Sequence, residues 1–372
     1  MEISKLELYH VAMGLKRDFE TSFGKTRTRH GILVRLIDVE GYEGWGEIVS
    51  GDGPWYSYET TGTAWHIVKD YLVKFLEGNV SPVEFQKRSA RVRGHNMAKA
   101  GIDEALWDLY ARRLGKPLYK VIGGEPRPVK VGVSIGIKKT IDELIQTIAR
   151  RLEEGYERIK LKIKPGIDVQ VIEAVRREYP DILLQVDANA AYSLQDLETL
   201  RTLDKYNLLM IEQPLHYDDL LDHSTLKTKI KTPLCLDESI KSPRHARYAL
   251  QLEAADIINI KPGRVGGITP SLQIHDLWSN KAGRPVWIGG MLETGVGRSI
   301  LVALGTLPGV RYHSDISASD RYYEEDIVTE PWILHKGSIL IPRKGPGIGV
   351  EVDHDKLEKY TLRKETISVK NP

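Results

Sequence analysis

The chain has 372 residues, of which 41% are hydrophobic and 28% are charged, a composition typical of a globular protein with a sizeable core. Its 53 basic and 51 acidic residues give a net charge of +2, which argues against a nucleic-acid or membrane surface as the main partner. A single cysteine, Cys235, excludes an internal disulfide framework and a cysteine-based metal cluster. The N-terminus lacks the apolar run of a secretory signal, and no apolar window is long enough to span a membrane, so we expect a cytoplasmic protein.

Residues 1–126 are predicted to form an α+β domain. Short alternating stretches within residues 1–60, separated by glycine-rich turns, indicate antiparallel strands. Residues 61–124 have helical character, because apolar residues recur at helical spacing between positions 98 and 114 and a glycine and a proline then end the helix.

A different pattern begins near Val129 and continues for most of the chain. Short apolar runs, each followed by a helix-like segment, end at intervals of 24 to 28 residues, at Ser134, Lys162, Asp187, Glu212, Asp237, Lys261, Ile288 and His313. Eight strand–helix units most simply close into a (β/α)₈-type barrel, and a doubly wound open sheet is the alternative. We therefore predict an α/β barrel over residues 127–328 and a C-terminal segment, residues 329–372, that returns to the N-terminal domain.

Helix-start signals support this reading of the repeat. Thr140 and Ser193 each precede an acidic residue by three positions, as in a capping box. Ser242 and Thr269 each precede a proline, which favours the first position of a helix. We expect helices to begin after all four residues.

The predicted third, fourth and fifth barrel strands each end in a carboxylate. These are Asp187 in VDAN, Glu212 in IEQP and Asp237 in LDES. The carboxyl ends of barrel strands meet at one mouth, so three carboxylates there would repel one another unless a cation lay between them. All-oxygen ligands suit Mg²⁺, for which Mn²⁺ can substitute. The alternative is three separate carboxylates, each paired with a basic residue.

Lysines are predicted to flank these carboxylates. Lys160 and Lys162 lie two residues apart on the second strand and so share a face, while Lys261 ends the sixth strand across the mouth. Burial beside a divalent cation and a second lysine would lower the pKa of a lysine towards that of a useful base. Such a lysine could remove the α-proton of a small-molecule carboxylate substrate bound to the metal, giving a metal-stabilised enediolate.

These motifs together resemble the muconate-lactonizing subgroup of the enolase superfamily. They are KLK at 160–162, VDAN at 186–189, IEQP at 211–214, LDES at 236–239 and IKPGRVGG at 260–267. Residues 100–124 are similar to the helix of that superfamily's capping domain. The resemblance covers essentially the whole chain and implies a modified TIM barrel with an α+β capping domain.

Within the subgroup, the chain is most similar to the o-succinylbenzoate synthase/N-acylamino acid (N-succinylamino acid) racemase family. The likeness lies in FETSFG at 19–24, GGMLETGVGR at 289–298, SDISASDRYYEEDI at 314–327 and the arginine Arg264. It implies a lyase, an isomerase or an enzyme with both activities, and a place in menaquinone biosynthesis for the synthase. Capped barrels often associate, so we expect a homo-oligomer.

The resemblance also implies roles for individual residues. Asp187, Glu212 and Asp237 would bind Mg²⁺, Lys162 and Lys261 would be the two acid/base residues, and Lys160 would support Lys162 electrostatically. The candidate substrate-binding residues are Asn189, Ser134, Arg264, Phe19 and Phe23 in a mobile capping loop, and Met291 and Glu293 after the seventh strand. Ordinary packing explains the two phenylalanines and the last two residues equally well.

One position departs from the family pattern. Gly51 stands in the second cap loop where the family suggests a larger apolar residue that contacts the acyl group. Trp55 or Tyr56 could fill the gap.

The resemblance leaves two reactions open. In the synthase, Lys162 takes the α-proton and helps hydroxide leave, while Lys261 stabilises the anion; in the racemase the two lysines act on opposite faces. Arg264 is associated with racemase-competent members, which favours a protein able to do both. The alternatives are a muconate cycloisomerase-like enzyme and a dipeptide epimerase, but epimerases carry Asp-x-Asp where this chain has Asp315-Ile316-Ser317. Intact lysines and carboxylates argue against a non-catalytic protein.

Overall fold

The computed structural model describes residues 1–21, 24–166 and 168–369. The chain begins with three strands, β1 (Ile3–Thr21), β2 (Gly24–Asp38) and β3 (Glu43–Ile48). Four helices follow, α1 (Thr61–Ile67), α2 (Pro82–Ser89), α3 (Asn96–Arg113) and α4 (Leu118–Val121). A π turn and a 3₁₀ turn, Val68–Leu72 and Val73–Leu76, extend α1. The predicted helix between positions 98 and 114 is confirmed as α3.

Strands and helices alternate through the middle of the chain. The strands are β4 (Val129–Lys130), β5 (Val133–Ile135), β6 (Arg158–Lys162), β7 (Leu183–Asp187), β8 (Ile211–Glu212), β9 (Leu234–Leu236), β10 (Ile257–Ile260) and β11 (Val286–Ile288). The helices are α5 (Ile141–Glu153), α6 (Asp168–Glu178), α7 (Leu197–Thr202), α8 (Leu221–Lys227), α9 (Pro243–Gln251), α10 (Pro262–Val265), α11 (Ile268–His275), α12 (Gly295–Gly305) and α13 (Ser319–Tyr322). Shorter helical turns lie at Leu194–Asp196, Leu203–Tyr206 and Asp276–Lys281.

The C-terminal part returns to the first sheet. It contains β12 (Ile339–Leu340), which pairs with β4, then α14 (His354–Tyr360) and β13 (Thr361–Ser368). Strand β13 pairs antiparallel with β1, which gives a four-stranded sheet in the order β13-β1-β2-β3. Within the described residues no helix has the length and apolar character that crossing a membrane requires.

Seven parallel strands form the curled sheet at the centre of the molecule. Their spatial order, β11-β10-β9-β8-β7-β6-β5, is also their order along the chain. Residues 310–314 lie between the two edge strands and form isolated parallel bridges, with Val286 on one side and Val131 on the other. This segment closes the sheet, so the predicted barrel is confirmed. The prediction of a full eighth strand ending at His313 was wrong, because the segment makes only isolated bridges, at Val310 and Ser314, and has no continuous ladder with a neighbouring strand.

Three of the four predicted helix starts are confirmed, at Thr140, Ser193 and Ser242. The fourth was wrong, because α11 begins at Ile268, two residues before the predicted start at Pro270. The main-chain N–H of Thr269 donates instead to Asp103 (2.9 Å), and its hydroxyl accepts from the indole of Trp107 (2.9 Å). Thr269 therefore fastens the barrel to helix α3 of the N-terminal part.

Helix α3 is buried on nearly every side. It packs against β3 on one side and against α10 and α11 of the barrel on another. The strand approaches so closely that a Cβ atom at Gly46 would lie 2.1 Å from the carbonyl oxygen of Gly101, so only glycine fits there. This close contact fastens β3 to α3, and the contacts of α3 with α10 and α11 place the N-terminal part on the barrel. The predicted limits of the domains stay a prediction.

Candidate active site

The three predicted carboxylates lie side by side at the carboxyl ends of neighbouring strands. Asp187 ends β7 and Glu212 ends β8, and the two are direct partners in the parallel ladder. Asp237 follows β9, the next strand of the sheet. All three side chains are buried. The structure thus brings together the three carboxylates that the repeat places at successive strand ends, and their role as metal ligands stays a prediction.

Lysines from β6 contact two of these carboxylates. The ammonium of Lys162 lies 2.6 Å from Asp187 Oδ2. The ammonium of Lys160 lies 3.2 Å from the same oxygen and 3.0 Å from Glu212 Oε2. The two lysines thus share Asp187, as their spacing along one strand face suggests.

The third carboxylate is held from the other side of the mouth. The ammonium of Lys261, which follows β10, lies 2.8 Å from Asp237 Oδ2. The guanidinium of Arg264 contacts the other oxygen, Asp237 Oδ1. Arg264 also donates to the main-chain oxygens of Ile240 (2.7 Å) and Asn259 (2.6 Å) and to the hydroxyl of Tyr56 (3.3 Å), so four partners fix its position.

Asp315 also belongs to the site, although the sequence drew attention to it only through the comparison with the Asp-x-Asp pair of dipeptide epimerases. It lies in the segment that closes the barrel, and its carboxylate contacts the ammonium of Lys160 and the guanidinium of Arg158 (2.6 Å). The signal that could have found it is its place just after the eighth apolar run, equivalent to Asp187 after the third. Asp315 therefore competes with Asp187 and Glu212 for Lys160.

Asn189 and Glu238 extend this arrangement. Asn189 Oδ1 accepts from Lys162 (2.7 Å), and its Nδ2 donates to Glu238 Oε1 (2.9 Å). The second oxygen of Glu238 is buried and has no hydrogen-bond partner among the described residues. Five carboxylates and five cations therefore make up what we call the mouth cluster: Asp187, Glu212, Asp237, Glu238 and Asp315 with Arg158, Lys160, Lys162, Lys261 and Arg264.

Two neutral side chains that were not predicted from the sequence, Gln185 and Asn259, hold Glu212 in place. Gln185 donates to Glu212 Oε2 (2.8 Å) and Asn259 donates to Glu212 Oε1 (2.7 Å). Each lies two residues before a predicted site residue, Asp187 or Lys261, and so shares its strand face. A polar residue at such a position inside a buried strand is the signal that could have found them.

In the mouth cluster, neighbouring charges shift the pKa of each of three residues in the direction opposite to the shift caused by burial. Burial alone would raise the pKa of Asp187, but Lys162 and Lys160 hold that pKa well below its usual range. Burial alone would lower the pKa of Lys160, but Asp315, Glu212 and Asp187 outweigh it and raise the pKa. The pKa of Lys261 is likewise raised against the effect of burial. The expected lowering of the lysine pKa therefore requires additional positive charge.

The donor set fits a divalent cation. Among the residues that the structure describes, no three acidic, histidine or cysteine side chains are already arranged as a metal-ligand set, because lysine and arginine engage the carboxylates. The chemistry still suits Mg²⁺, since three carboxylates lie on adjacent strand ends. The buried, unpartnered oxygen of Glu238 indicates a further polar position in the same cluster.

A cavity of about 180 Å³ opens at the mouth, between the barrel and two loops of the N-terminal part. Of the predicted residues, it is lined by Lys160, Lys162, Lys261, Asn189, Ser134, Met291 and Glu293. The Ser134 hydroxyl is buried without a hydrogen-bond partner among the described residues, which suits a substrate contact. Arg264 lies behind Asp237 rather than in the lining of this cavity.

The structure describes the position of one of the two predicted phenylalanines. Phe19 lies near the far end of β1, where its main chain pairs with Thr26 of β2, a residue that lines the cavity. Phe23 lies outside the described residues. The part of the hairpin near Thr26 therefore reaches the site, and the contact made by the phenylalanine rings stays a prediction.

The loop that carries Gly51 also carries Trp55 and Tyr56, the two residues proposed to replace the missing apolar side chain at Gly51. Trp55 lines the same cavity as Gly51, and its residue is 71% exposed. Tyr56 turns to the catalytic side instead: its hydroxyl lies 3.4 Å from the ammonium of Lys261 and 3.3 Å from Asp237 Oδ1. The space beside Gly51 is thus open to the cavity.

Family comparisons agree with this geometry. Residues 5–123 match the mandelate racemase/muconate lactonizing enzyme N-terminal domain, and residues 143–356 match the enolase C-terminal domain-like family. The chain is 49% identical over 363 residues to an o-succinylbenzoate synthase from Geobacillus kaustophilus, which covers 97% of this chain and 96% of that protein. It is 44% identical over 364 residues to an N-succinylamino acid racemase from Thermus thermophilus, with 97% and 98% covered.

Solved structures give the same result. A crystal structure of an enolase superfamily member from Listeria innocua superposes with a TM-score of 0.96 at 38% identity, over 100% of both chains. A dipeptide epimerase from Cytophaga hutchinsonii, complexed with Mg and the dipeptide D-Ala-L-Val, superposes with a TM-score of 0.90 at 26% identity. It covers 100% of both chains. The capped, modified barrel is therefore the shared fold.

Proposed function

This chain belongs to the o-succinylbenzoate synthase/N-acylamino acid racemase family of the enolase superfamily, and from this we propose that it removes the α-proton of an N-succinylamino acid and racemises it. We propose that the same site also catalyses the dehydration that forms o-succinylbenzoate. Both reactions begin with the loss of a proton next to a carboxylate and need no oxidant or reductant.

One observation carries the proposal: two lysines face the same cavity from opposite sides of the barrel. Lys162 ends β6 and Lys261 follows β10, and three strands separate β6 from β10 in the sheet. Both lysines line the cavity. A substrate between them could lose its α-proton to the lysine on one face. The planar anion that results could then gain a proton from the lysine on the other face, which inverts the stereocentre.

In racemisation, the neutral amine of one lysine takes the α-proton and the ammonium of the other returns a proton to the opposite face. For one enantiomer Lys162 is the base and Lys261 the acid, and for the other their roles exchange. In dehydration, Lys162 takes the α-proton and gives it to the departing hydroxide, so that water leaves and a double bond forms. Lys261 then remains an ammonium and stabilises the anion by its charge.

The carboxylates of the mouth cluster have two tasks in this scheme. Asp187, Glu212 and Asp237 are the residues that would hold Mg²⁺, with Mn²⁺ as a substitute. When bound, the cation would attract the substrate carboxylate, acidify the α-proton and offset the carboxylate charge that raises the pKa of Lys160 and Lys261. Asn189 orients the Lys162 ammonium through a hydrogen bond of 2.7 Å.

A dipeptide substrate is less well supported. Its free ammonium would need an uncommitted carboxylate near the eighth unit of the barrel, and Asp315 is the acidic residue there. Asp315 already contacts both Lys160 and Arg158. The nearby Ser317, which lines the cavity, carries no charge that would attract an ammonium.

The first test is proton NMR of the purified protein with Mg²⁺ and an N-succinylamino acid in D₂O. We expect the α-proton signal to disappear together with the optical rotation. Formation of o-succinylbenzoate from its hydroxylated precursor is followed in a parallel assay. Dehydration without exchange would leave a dedicated synthase, and no reaction in either assay would contradict the proposal and favour a dipeptide epimerase.

A further inference from the structure

A second cavity, of about 410 Å³, lies beside the catalytic cavity. One wall is the end of the β1–β2 hairpin, and the other wall is formed by the loop from β5 to α5 together with helices α5 and α13. Ser134 and Tyr322 line both cavities, so the two are neighbours. We call the second cavity the rim groove, and its charged lining residues are Arg17, Asp18, Lys25, Lys138, Lys139, Glu143, Arg151 and Arg321.

Positive charge predominates in the rim groove. Six of its charged lining residues are basic and two are acidic, whereas the whole chain has a net charge of only +2. Both acids are already paired, because Asp18 lies 2.6 Å from the ammonium of Lys25 and Glu143 lies 3.3 Å from that of Lys138. These lysines lower the pKa of their partners, so each acid stays charged and engaged. The other cations of the groove therefore keep their charge uncompensated by these two acids.

Three of the basic residues retain donors without an acceptor. Arg17 and Lys139 are exposed, and neither forms an ion pair with a described side chain. Arg321 donates through Nη2 to the main-chain oxygen of Ser134 (2.6 Å), but its Nη1 is buried without a hydrogen-bond partner among the described residues. A buried charged donor without an acceptor costs free energy. Arg321 in particular thus favours an anion in the groove.

The cations stand on both walls of the groove. Arg17 and Lys25 belong to the hairpin, and Lys139, Arg151 and Arg321 belong to the barrel wall. Like charges on opposite walls repel each other unless an anion lies between them. Donors that converge from different directions suit a tetrahedral oxyanion, whose oxygens point to several sides, better than a planar carboxylate. Lysine and arginine are also the side chains that proteins use most often for phosphate.

We propose that the rim groove is a phosphate-binding site, in which the dianion lies between the hairpin and the barrel. Arg17 contacts it from the hairpin, and Lys139 and Arg321 contact it from the barrel. The bound phosphate joins the two walls, because it offsets the repulsion between their charges. The site lies outside the catalytic cavity and does not depend on the proposed reaction.

The test is isothermal titration calorimetry of the Mg²⁺-loaded protein with inorganic phosphate at constant ionic strength, which keeps the screening of charges equal. Arg17→Gln and Lys139→Gln should each raise the Kd about threefold, the size expected for one exposed ionic contact. The double variant, which removes one cation from each wall, should raise it about tenfold. Because both side chains are exposed, all three variants should fold.

Two matched controls locate the bound phosphate. Lys229→Gln removes an exposed lysine that does not line the groove, and it should leave the Kd unchanged. Lys261→Ala removes a cation that lines the catalytic cavity but not the groove, and it should change the Kd less than twofold. A loss of affinity in Lys261→Ala as large as in the double variant would place the phosphate in the catalytic cavity and overturn the inference.

Three further results would also overturn it. Acetate that binds as tightly as phosphate at the same ionic strength would show that the groove does not select a tetrahedral oxyanion. An effect of Lys139→Gln without one of Arg17→Gln would show that the anion contacts only the barrel wall. An unchanged Kd in the double variant would remove the groove from phosphate binding altogether. None of these results bears on the proposed function, which the exchange of the α-proton tests separately.

Discussion

Two groups of buried carboxylates in this molecule are held by different means. In the mouth cluster, Asp187 and Asp315 contact lysine and arginine side chains. In the second region, where the N-terminal part meets the barrel, buried acids are held mainly by main-chain N–H groups. We call this second group the interface cluster: Glu47, Asp103, Glu104 and Glu293.

Glu47 illustrates the second region. Its carboxylate accepts from the hydroxyl of Thr294 (2.7 Å) and from the N–H of Gly297 (3.0 Å), at the beginning of α12. Asp103 accepts from the N–H of Thr269 (2.9 Å) and from Gln86 (3.0 Å). The two acids join strand β3 and helix α3 of the N-terminal part to the barrel.

Opposite pKa directions follow from these different partners. Burial is the largest influence in both regions, and it raises the pKa of Glu47 and of Asp103 to about 7. In the mouth cluster, nearby lysines and arginine reverse the effect and hold the pKa of Asp187 and Asp315 well below the usual range. Burial alone therefore does not identify a charged site, whereas burial together with opposite charges does.

The largest effect we predict is at the two lysines of the mouth cluster. Lys162→Ala and Lys261→Ala should each lower racemisation by at least about 10³-fold, because each removes one of the two proton carriers. Both variants should fold, since Asp187 keeps Lys160 and Asp237 keeps Arg264 as partners. The measurement is kcat/KM for racemisation together with a circular dichroism spectrum.

Lys164→Ala is the matched control for the lysine variants, because Lys164 is exposed and lies two residues after Lys162. It should racemise normally. A Lys261→Ala variant that racemises at the unchanged rate would show that the reaction needs only one lysine.

The next effect concerns the metal. Asp237→Asn removes one negative oxygen donor from the mouth cluster and should weaken Mg²⁺ binding by about 100-fold, as measured by isothermal titration calorimetry. Asp103→Asn in the interface cluster is the matched control, since Asp103 is equally buried and should leave Mg²⁺ affinity unchanged. Equal affinities in all three proteins would remove Asp237 from the metal site and weaken the contrast between the regions.

A substitution in the interface cluster should change the stability of the protein, and its dependence on pH, rather than the catalytic activity. The pKa of Glu47 is raised from its ordinary value of 4.5 to about 7, so the folded protein binds more protons than the unfolded chain between these values. The free energy of unfolding should therefore fall as the pH rises from about 4.5 to 7. We expect Glu47→Gln to reduce this fall by on the order of 2 kcal/mol.

Urea unfolding at pH 5 and pH 7.5 measures the effect of Glu47→Gln. Glu40→Gln is the control, because the Glu40 side chain is 55% exposed and should leave the pH dependence as it is. A Glu47→Gln variant with an unchanged difference between the two pH values would mean that Glu47 is charged at both, like the carboxylates of the mouth cluster.

The mouth cluster was largely predictable because its members occur at a fixed place in a repeat. Lys162, Asp187 and Glu212 all end short apolar runs, and strand ends of a parallel barrel meet at one mouth. Arg158 begins β6 and Asn259 lies inside β10, so neither ends an apolar run, and the search for residues at the ends of runs missed both.

The interface cluster could not be predicted in the same way. Glu47 and its partner Gly297 are separated by 250 residues, and the contact depends on how β3 docks against the start of α12. The full eighth strand was predicted wrongly for a related reason. Residues 310–314 make only isolated bridges, to Val286 and Val131, and this is a property of barrel closure that no local pattern contains.

The smallest effect we predict is at Arg264, and it tests whether the balance of charges in the mouth cluster affects proton transfer by Lys261. It shares Asp237 with Lys261, so Arg264→Gln should leave that carboxylate more strongly engaged with the Lys261 ammonium. A more tightly held proton on Lys261 hinders racemisation, in which that lysine must give and take protons, but not dehydration, in which it supplies only charge. We expect racemisation to fall about fivefold more than dehydration in parallel kcat/KM measurements, a difference of roughly 1 kcal/mol in transition-state stabilisation. Equal loss of both activities would mean that Arg264 only positions Asp237, as the neutral partners Gln185 and Asn259 position Glu212.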